Sequence, residues 1–168
     1  HYWLDPANVR PQGEAILAGL VQARPARAAA FRANLDAHVG RMDAAIEGWQ
    51  ARLTPFAGAQ VISFHNSWPY FARRFGIVVV DFMEPKPGVA PTPTHIAALT
   101  ERLKGGQVKA ILMESYFDDR VPAMLSRTTG VPLVKVPVLV GAAPGVDDPF
   151  ALFDSITRSL ATALGGGR

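Results

Sequence analysis

The chain has 168 residues, a length that suits one domain or one lobe of a larger protein. Hydrophobic residues make up 49% of the sequence, enough for a sizeable core, but no uninterrupted apolar run approaches the ~20 residues that a membrane-spanning helix needs. The net charge of +3 comes with scattered arginines, which argues against a nucleic-acid-binding protein, because such proteins usually carry a clustered basic face.

The first third of the sequence predicts two helices. Asp5-Pro6 favours a helix start, and Arg24-Pro25 ends that helix because proline disfavours the α region for the residue before it. Over residues 26–53 an apolar stripe recurs every three or four residues and predicts one amphipathic helix, about 40 Å long at ~1.5 Å per residue. We expect this helix to brace one lobe or to run between two. The stripe consists of Phe31, Leu35, His38, Met42, Ile46, Trp49 and Leu53.

Strand and helix patterns alternate in the remainder of the chain. This alternation is typical of parallel βαβ units with right-handed crossovers, so we predict an α/β fold with a parallel four-stranded sheet and flanking helices. Pro137 in the fourth strand should lie at an edge or a bulge because it has no N–H to donate. The predicted strands are 60–63, 77–82, 108–113 and 133–140, and the predicted helices are 68–75, 94–104, 118–128 and 149–164.

Ionisable side chains follow the predicted strands at the points where the strands end. His65, Glu84 and Glu114 come after the first three strands, and Asp147-Asp148 lies in the loop after the fourth. The carboxyl ends of parallel strands meet at one edge of a sheet, which is where α/β folds bind ligands. Imidazole is the commonest side-chain ligand of zinc, and a chain without cysteine offers only nitrogen and oxygen ligands. His65 is therefore a candidate metal ligand.

Each of these residues also has a structural interpretation. His65 can cap the helix that follows or hydrogen-bond a carbonyl, and Glu84 can accept the hydrogen bonds of a turn. Asp147-Asp148 suits the N-terminus of the last helix, where the helix dipole favours negative charge. His38 on the apolar stripe is expected to be an interface histidine. His95 is expected to be a solvated residue in the first turn of its helix, with shielding of the site as the alternative.

Three short stretches stand out as motifs. They are His-Tyr-Trp-Leu-Asp-Pro at residues 1–6, Ser-Phe-His-Asn-Ser-Trp-Pro-Tyr-Phe at 63–71 and Ile-Leu-Met-Glu-Ser-Tyr-Phe at 111–117. Taken together, in order and spacing, they resemble the metal-binding solute-binding proteins of bacterial zinc and manganese ABC transporters. The proline-rich stretch 84–92 also resembles one branch of this family.

The resemblance implies two α/β lobes that a long rigid helix connects, with the metal held between the lobes. Residues 1–23 would be the end of an N-terminal lobe, residues 24–53 the bridging helix and residues 54–168 the C-terminal α/β lobe. By motif position, His1 and His65 match two metal ligands of the family. A further histidine or acidic ligand would lie in the rest of the N-terminal lobe, upstream of this sequence.

The remaining ligand is the least defined. The family usually supplies an aspartate after the last strand, but residues 136–141 contain no acidic residue. Glu114, Asp147 or a water molecule could fill this position, and Glu114 is favoured because it follows a neighbouring strand at the same edge. The expected metal site is therefore His1, His65 and Glu114. Imidazoles with at most one carboxylate suit Zn(II), whereas Mn(II), the alternative, prefers more oxygen ligands.

The function that the resemblance implies is high-affinity capture of Zn(II) outside the cytoplasmic membrane and its delivery to an ABC permease. We expect a periplasmic or otherwise extracytoplasmic monomer, made as a precursor with a signal sequence and associated with the membrane through the transporter. We expect neither catalysis nor nucleic-acid binding.

Two alternatives to a metal-capturing protein remain open. One is a zinc-dependent hydrolase with an open coordination position, although the sequence has no His-Glu-x-x-His segment and Ser63 and Ser67 lack a triad context. The other is that this chain alone binds no metal, because half of an inter-lobe site would be missing.

Histidine ligation predicts a pH-dependent affinity. Only neutral imidazole binds a metal ion, so protons compete with zinc for the same nitrogen. We expect the zinc affinity to fall as the pH decreases through about 6.5, the ordinary pKa of histidine. Competition titration against a zinc chelator from neutral pH down to about pH 5 measures this. A constant affinity over that range would count against histidine ligands.

Overall fold

The computed structural model describes residues 1–166, and the last two residues of the predicted C-terminal lobe, 167 and 168, lie outside the described residues. Short 3₁₀ turns precede α1, precede α2 and follow α2. The strands are β1 Gln60–Ser63, β2 Val78–Phe82, β3 Val108–Glu114 and β4 Leu133–Val136. The helices are α1 Val9–Ala23, α2 Ala28–Leu53, α3 Pro69–Phe75, α4 Pro93–Lys104, α5 Arg120–Thr129 and α6 Pro149–Gly165.

The four strands form one parallel sheet in the order β2-β1-β3-β4, which confirms the predicted fold class. The central position of β1 follows from this order. Ser63, the last residue of β1, pairs with Phe82 on one side and with Leu112 on the other. The residues that follow β1 therefore emerge between the ends of β2 and β3.

Helices cover both faces of the sheet, and the strands are apolar for that reason. Successive side chains of a strand point to opposite faces. Val61 accordingly packs with residues of α2, α3 and α6, whereas its neighbour Ile62 packs with Leu99 and Leu103 of α4 and Leu125 of α5. A parallel sheet buried on both faces needs continuous apolar strands, and β3 is buried at every position except Lys109.

The long helix α2 packs along the lobe by its C-terminal half. Met42, Ile46, Trp49 and Leu53 of the predicted stripe are buried in the same core as α6. The earlier stripe residues are only partly buried and lie beside α1. The prediction of one long helix is confirmed, with its start at Ala28 after a 3₁₀ turn at Pro25–Arg27.

The fourth strand is shorter than predicted, and Pro137 explains why. β4 ends at Val136, which pairs with Glu114, instead of continuing to residue 140. Proline has no N–H for the ladder, so the chain leaves the sheet at this point. The carbonyl of Val138 is then free of the ladder and accepts a hydrogen bond of 3.0 Å from the indole Nε1 of Trp3.

The N-terminal residues pack against the same lobe. Leu4 is fully buried in the core that α2, α3 and α6 share with the sheet. The Asp5 carboxylate, 3% exposed, accepts hydrogen bonds from Arg74 Nε at 2.7 Å and from a second guanidinium nitrogen at 3.1 Å. It also accepts the backbone N–H of Ala7. This bidentate pair joins the segment before α1 to α3, and its hydrogen bond raises the pKa of Arg74.

Removing this ion pair should cost measurable stability. Asp5→Ala leaves the half-buried Arg74 guanidinium without its partner, so we expect the free energy of unfolding to drop by about 2 kcal/mol. Unfolding in urea measures this change. Asp43→Ala is the matched control, because Asp43 and Arg10 form a surface pair with side chains 52% and 60% exposed. The control should change stability by less than about 0.5 kcal/mol. Equal effects of the two variants would contradict a clamping role for Asp5.

Candidate metal centre

His65 lies just beyond the end of β1, at the edge of the sheet where ligands are expected. The backbone there is fixed, because the Phe64 N–H donates to Leu112 O at 2.8 Å and the Ser63 hydroxyl donates to the His65 carbonyl at 2.8 Å. The His65 side chain is 17% exposed, so its ring is largely enclosed but reaches solvent. Its position agrees with a ligand role and excludes a ring fully buried in hydrocarbon.

His1 lies directly against His65. The two ring centres are 5.5 Å apart and the ring planes are inclined by 83°. Two Zn–N bonds of about 2.0–2.1 Å in a tetrahedral shell would separate two ring centres by roughly 5 Å. The structure therefore brings together the two histidines that the motifs singled out, at a spacing that one metal ion can bridge.

Glu84 lies just beyond the end of the neighbouring strand β2 and contacts His65. Glu84 Oε2 lies 2.5 Å from His65 Nδ1, and Oε1 accepts the N–H of Gly88 at 2.8 Å. The side chain of Glu84 is 8% exposed. The interpretation of Glu84 as an acceptor of turn hydrogen bonds is confirmed, but its second oxygen is used by the candidate ligand.

Glu114 ends β3 on the other side of His65 and is fully buried. Within residues 1–166 neither of its carboxylate oxygens has a hydrogen-bond partner. Burial raises the pKa of Glu114, while the hydroxyl of Ser67, the charge of His65 and the indole N–H of Trp68 act to lower it. The Ser67 and Trp68 groups lie beside the carboxylate but complete no hydrogen bond with it, so the effect of burial prevails.

The three predicted ligands do not form a complete metal site in this conformation. His1 and His65 are in contact, and the charge of His65 acts to lower the pKa of Glu114. Yet among residues 1–166 no three histidine, aspartate or glutamate side chains are arranged to hold one metal ion. The assembled part of the candidate centre is the histidine pair, flanked by one carboxylate on each side.

Of the remaining candidates, Asp147 is exposed in the loop before α6, whereas His38, Asp148 and His95 have structural roles. His38 packs edge-on against Phe150 with ring centres 5.9 Å apart, as expected for an interface histidine. Asp148 caps α6 by accepting the N–H of Ala151 at 2.8 Å. The prediction of a solvated His95 was wrong, because its half-buried ring donates from Nε2 to the carbonyl of Phe82 at 2.8 Å.

A row of aromatic rings across the centre was not predicted. The rings of His1 and His65 continue on one side into Trp3, at 5.0 Å from His1, and on the other into Phe117, at 5.9 Å from His65. Tyr2 and Tyr116 extend the row at its two ends. The sequence did contain a signal for it, since aromatic residues occur in all three motifs.

Comparison with known proteins supports the motif-based resemblance. Residues 1–163 match the profile of a family described as "Zinc-uptake complex component A periplasmic". The high-affinity zinc uptake system protein ZnuA of Brucella abortus is 26% identical over 164 residues, which cover 98% of this chain and 48% of that protein. The chain thus spans about half the length of this relative.

Solved structures share the fold. A crystal structure of ZnuA superposes with a TM-score of 0.81 at 22% identity, over 97% of this chain and 59% of that one. FpvC, a solute-binding protein of Pseudomonas aeruginosa solved with Mn²⁺, superposes with a TM-score of 0.79 at 25% identity, over 100% and 64% of the two chains.

The profile match extends over almost the whole chain, well beyond the three motifs. The relatives are named as uptake and substrate-binding proteins, which confirms the expectation that the chain is not an enzyme. The chain belongs to the family of periplasmic zinc-uptake components, the metal-binding solute-binding proteins of bacterial ABC transporters.

Proposed function

We propose that the chain binds a divalent transition metal outside the cytoplasm, as part of a solute-binding protein that delivers the metal to an ABC permease. The observation that supports this most directly is the contact between His1 and His65, whose ring centres are 5.5 Å apart at the ligand edge of the sheet. Family membership supports the same role. None of the helices in residues 1–166 has the length and apolar character that crossing a membrane requires. We propose that the protein acts as a monomer docked to its permease.

We propose His1, His65 and Glu114 as the metal ligands of this chain. A buried carboxylate without a partner is costly, and a cation would compensate that cost. Because the three groups do not form a complete site in this conformation, coordination by Glu114 requires its side chain to move toward the histidine pair.

The ligand shell is completed from outside this chain in our proposal. Residues 1–23 belong to the end of an N-terminal lobe, residues 24–53 bridge the lobes, and residues 54–168 form the C-terminal lobe. The rest of the N-terminal lobe supplies a further histidine or acidic ligand, so the metal is held between the lobes. The contact between the His1 and His65 rings supports this arrangement, because it joins the proposed first lobe to the edge of the C-terminal lobe.

Zn(II) is the proposed cargo. Two imidazoles and one carboxylate match the nitrogen-rich shell that zinc accepts, and the Brucella relative is named for zinc uptake. FpvC was solved with Mn²⁺ and with Ni²⁺, so the fold accommodates other divalent ions. Mn(II) is the alternative cargo, and it would favour a larger share of oxygen ligands.

Replacing His65 tests the proposed function. Loss of a residue that only supports a ligand costs 10–100-fold in metal affinity, so His65→Gln, which removes a ligand, should weaken zinc binding by more than about 100-fold. His38→Gln is the matched control, because His38 packs against Phe150, away from the centre, and should leave the affinity unchanged. Competition with a chromophoric zinc chelator measures both variants. Equal affinities of His65→Gln and the unsubstituted chain would refute the proposal.

Replacing Glu114 with glutamine tests its proposed place among the ligands. Because burial raises the pKa of Glu114, the folded chain keeps the proton at pH values where the unfolded chain releases it. The stability of the metal-free chain should therefore fall as the pH rises above about 4.3, the ordinary pKa of glutamate. Glu114→Gln should remove this decrease and raise the free energy of unfolding near neutral pH by about 1 kcal/mol or more.

The zinc affinity of the same variant distinguishes a ligand from a merely buried acid. If the Glu114 carboxylate binds the metal, Glu114→Gln should weaken zinc binding at least about ten-fold although the fold becomes more stable. Glu101→Gln, at an exposed position of α4, provides the control. An unchanged affinity of Glu114→Gln would remove Glu114 from the ligand set.

A further inference from the structure

We propose that Glu84 is a positioning residue for metal capture: it holds His65 in the tautomer with hydrogen on Nδ1 and so reserves Nε2 for the metal. This inference rests on the proposed function. It concerns a contact of the metal-free chain, the 2.5 Å approach of Glu84 Oε2 to His65 Nδ1.

The direction of this hydrogen bond follows from the two groups. A carboxylate has no hydrogen to donate, so Nδ1 must carry the hydrogen and Oε2 must accept it. In a neutral imidazole the other nitrogen, Nε2, then has a free lone pair. The side chains of His65 and Glu84 are only 17% and 8% exposed, so water competes little for this bond.

Glu84 is itself fixed, independently of any metal. Its backbone N–H donates to Phe64 O at 2.9 Å, which ties the end of β2 to the residue before His65. Its second oxygen, Oε1, accepts the N–H of Gly88 at 2.8 Å. Gly88 has φ +76°, a conformation that glycine adopts without steric cost and that closes the turn. Lys86 and Val89 pair across the same turn through a 2.9 Å backbone bond.

The His65 ring is held from its other sides as well. Phe117 lies 5.9 Å from it and His1 lies 5.5 Å from it, both measured between ring centres. The ring therefore sits between two aromatic neighbours while one nitrogen is bonded to Glu84. A histidine with a fixed tautomer and a fixed orientation binds metal without first shifting a proton or turning its ring.

The same contacts argue against Glu84 as a direct ligand. Both of its oxygens are already engaged, one by His65 and the other by Gly88. An oxygen held on Nδ1 lies on a different side of the ring from a metal on Nε2, so direct coordination of that metal would require the bond between Glu84 and His65 to break. Carboxylates that support a ligating histidine in this way typically contribute 10–100-fold to metal affinity.

The tautomer of His65 in the metal-free chain tests the inference directly. With ¹⁵N-labelled histidine, long-range ¹H–¹⁵N correlation spectra show which ring nitrogen carries the hydrogen, and the His65→Gln spectrum identifies the His65 signals. At about pH 8, above the ordinary pKa of histidine, we expect the hydrogen on Nδ1 in the unsubstituted chain. Glu84→Ala should move it, in part or wholly, to Nε2. Glu101→Ala, at an exposed position of α4 where Glu101 pairs with Lys104, should change nothing.

Zinc affinity provides the second readout. Glu84→Ala should weaken zinc binding about 10–100-fold, whereas Glu101→Ala should not. Glu84→Gln keeps the size of the side chain and a carbonyl acceptor for Nδ1–H, so it should retain the tautomer. Its zinc affinity should lie between those of Glu84→Ala and the unsubstituted chain. The zinc affinity of this variant still tests the inference if Glu84→Ala does not fold.

Three results would overturn the inference. One is a hydrogen on Nε2 of His65 in the unsubstituted chain. Another is Glu84→Ala with the same His65 tautomer as the unsubstituted chain, or Glu84→Gln with the same zinc affinity as the unsubstituted chain. The third is X-ray absorption of the zinc-loaded chain in which Glu84→Gln loses an oxygen neighbour of the metal, because Glu84 would then be a ligand. If the unsubstituted chain binds no zinc, the proposed function fails, but the tautomer spectra still decide the role of Glu84.

Discussion

The bidentate ion pair between Asp5 and Arg74 is the interaction on which the candidate centre depends. It anchors the N-terminal segment to α3, the helix that follows the His65 loop, and Leu4 beside it is fully buried in the lobe core. The backbone turn that brings Leu4 N–H onto the carbonyl of His1 then sets the position of the first residue. Without this anchor the N-terminal segment, and with it His1, would be held against the lobe by the Leu4 and Trp3 contacts.

The strand order provides the second constraint. Because β1 lies between β2 and β3, the residues beyond these three strands arrive side by side, with His65 in the middle. The two flanking acids differ in environment. Glu84 has both oxygens bonded, whereas Glu114 is buried without a partner among residues 1–166. The two acids at this edge therefore have different proposed roles. Glu84, whose oxygens are bonded, positions His65, and Glu114, which lacks such bonds within the described part of the chain, is a ligand.

Local patterns were enough to predict the elements, but not how they meet. The alternation of apolar runs and helical stripes predicted the four strands and the long helix. Gly76 and Gly130 follow α3 and α5 with positive φ, as glycine commonly does at helix ends. Strand order, the length of β4 after Pro137 and the burial of His95 depend on contacts between distant segments, which periodicity does not encode. The approach of His1 to His65 was implied by family resemblance, whereas the Glu84 contact required coordinates.

The indole of Trp3 is a natural fluorophore beside the candidate metal centre. Its ring centre lies 5.0 Å from that of His1, and its Nε1–H is fixed on Val138 O. An ion bound to the histidine pair would therefore be a close neighbour of a fluorophore. Zn(II) has a filled d shell and should leave the emission largely intact, whereas an open-shell ion such as Ni(II) should quench it. The fluorescence of Trp3 would thus distinguish which metal ion the histidine pair binds, without any added dye.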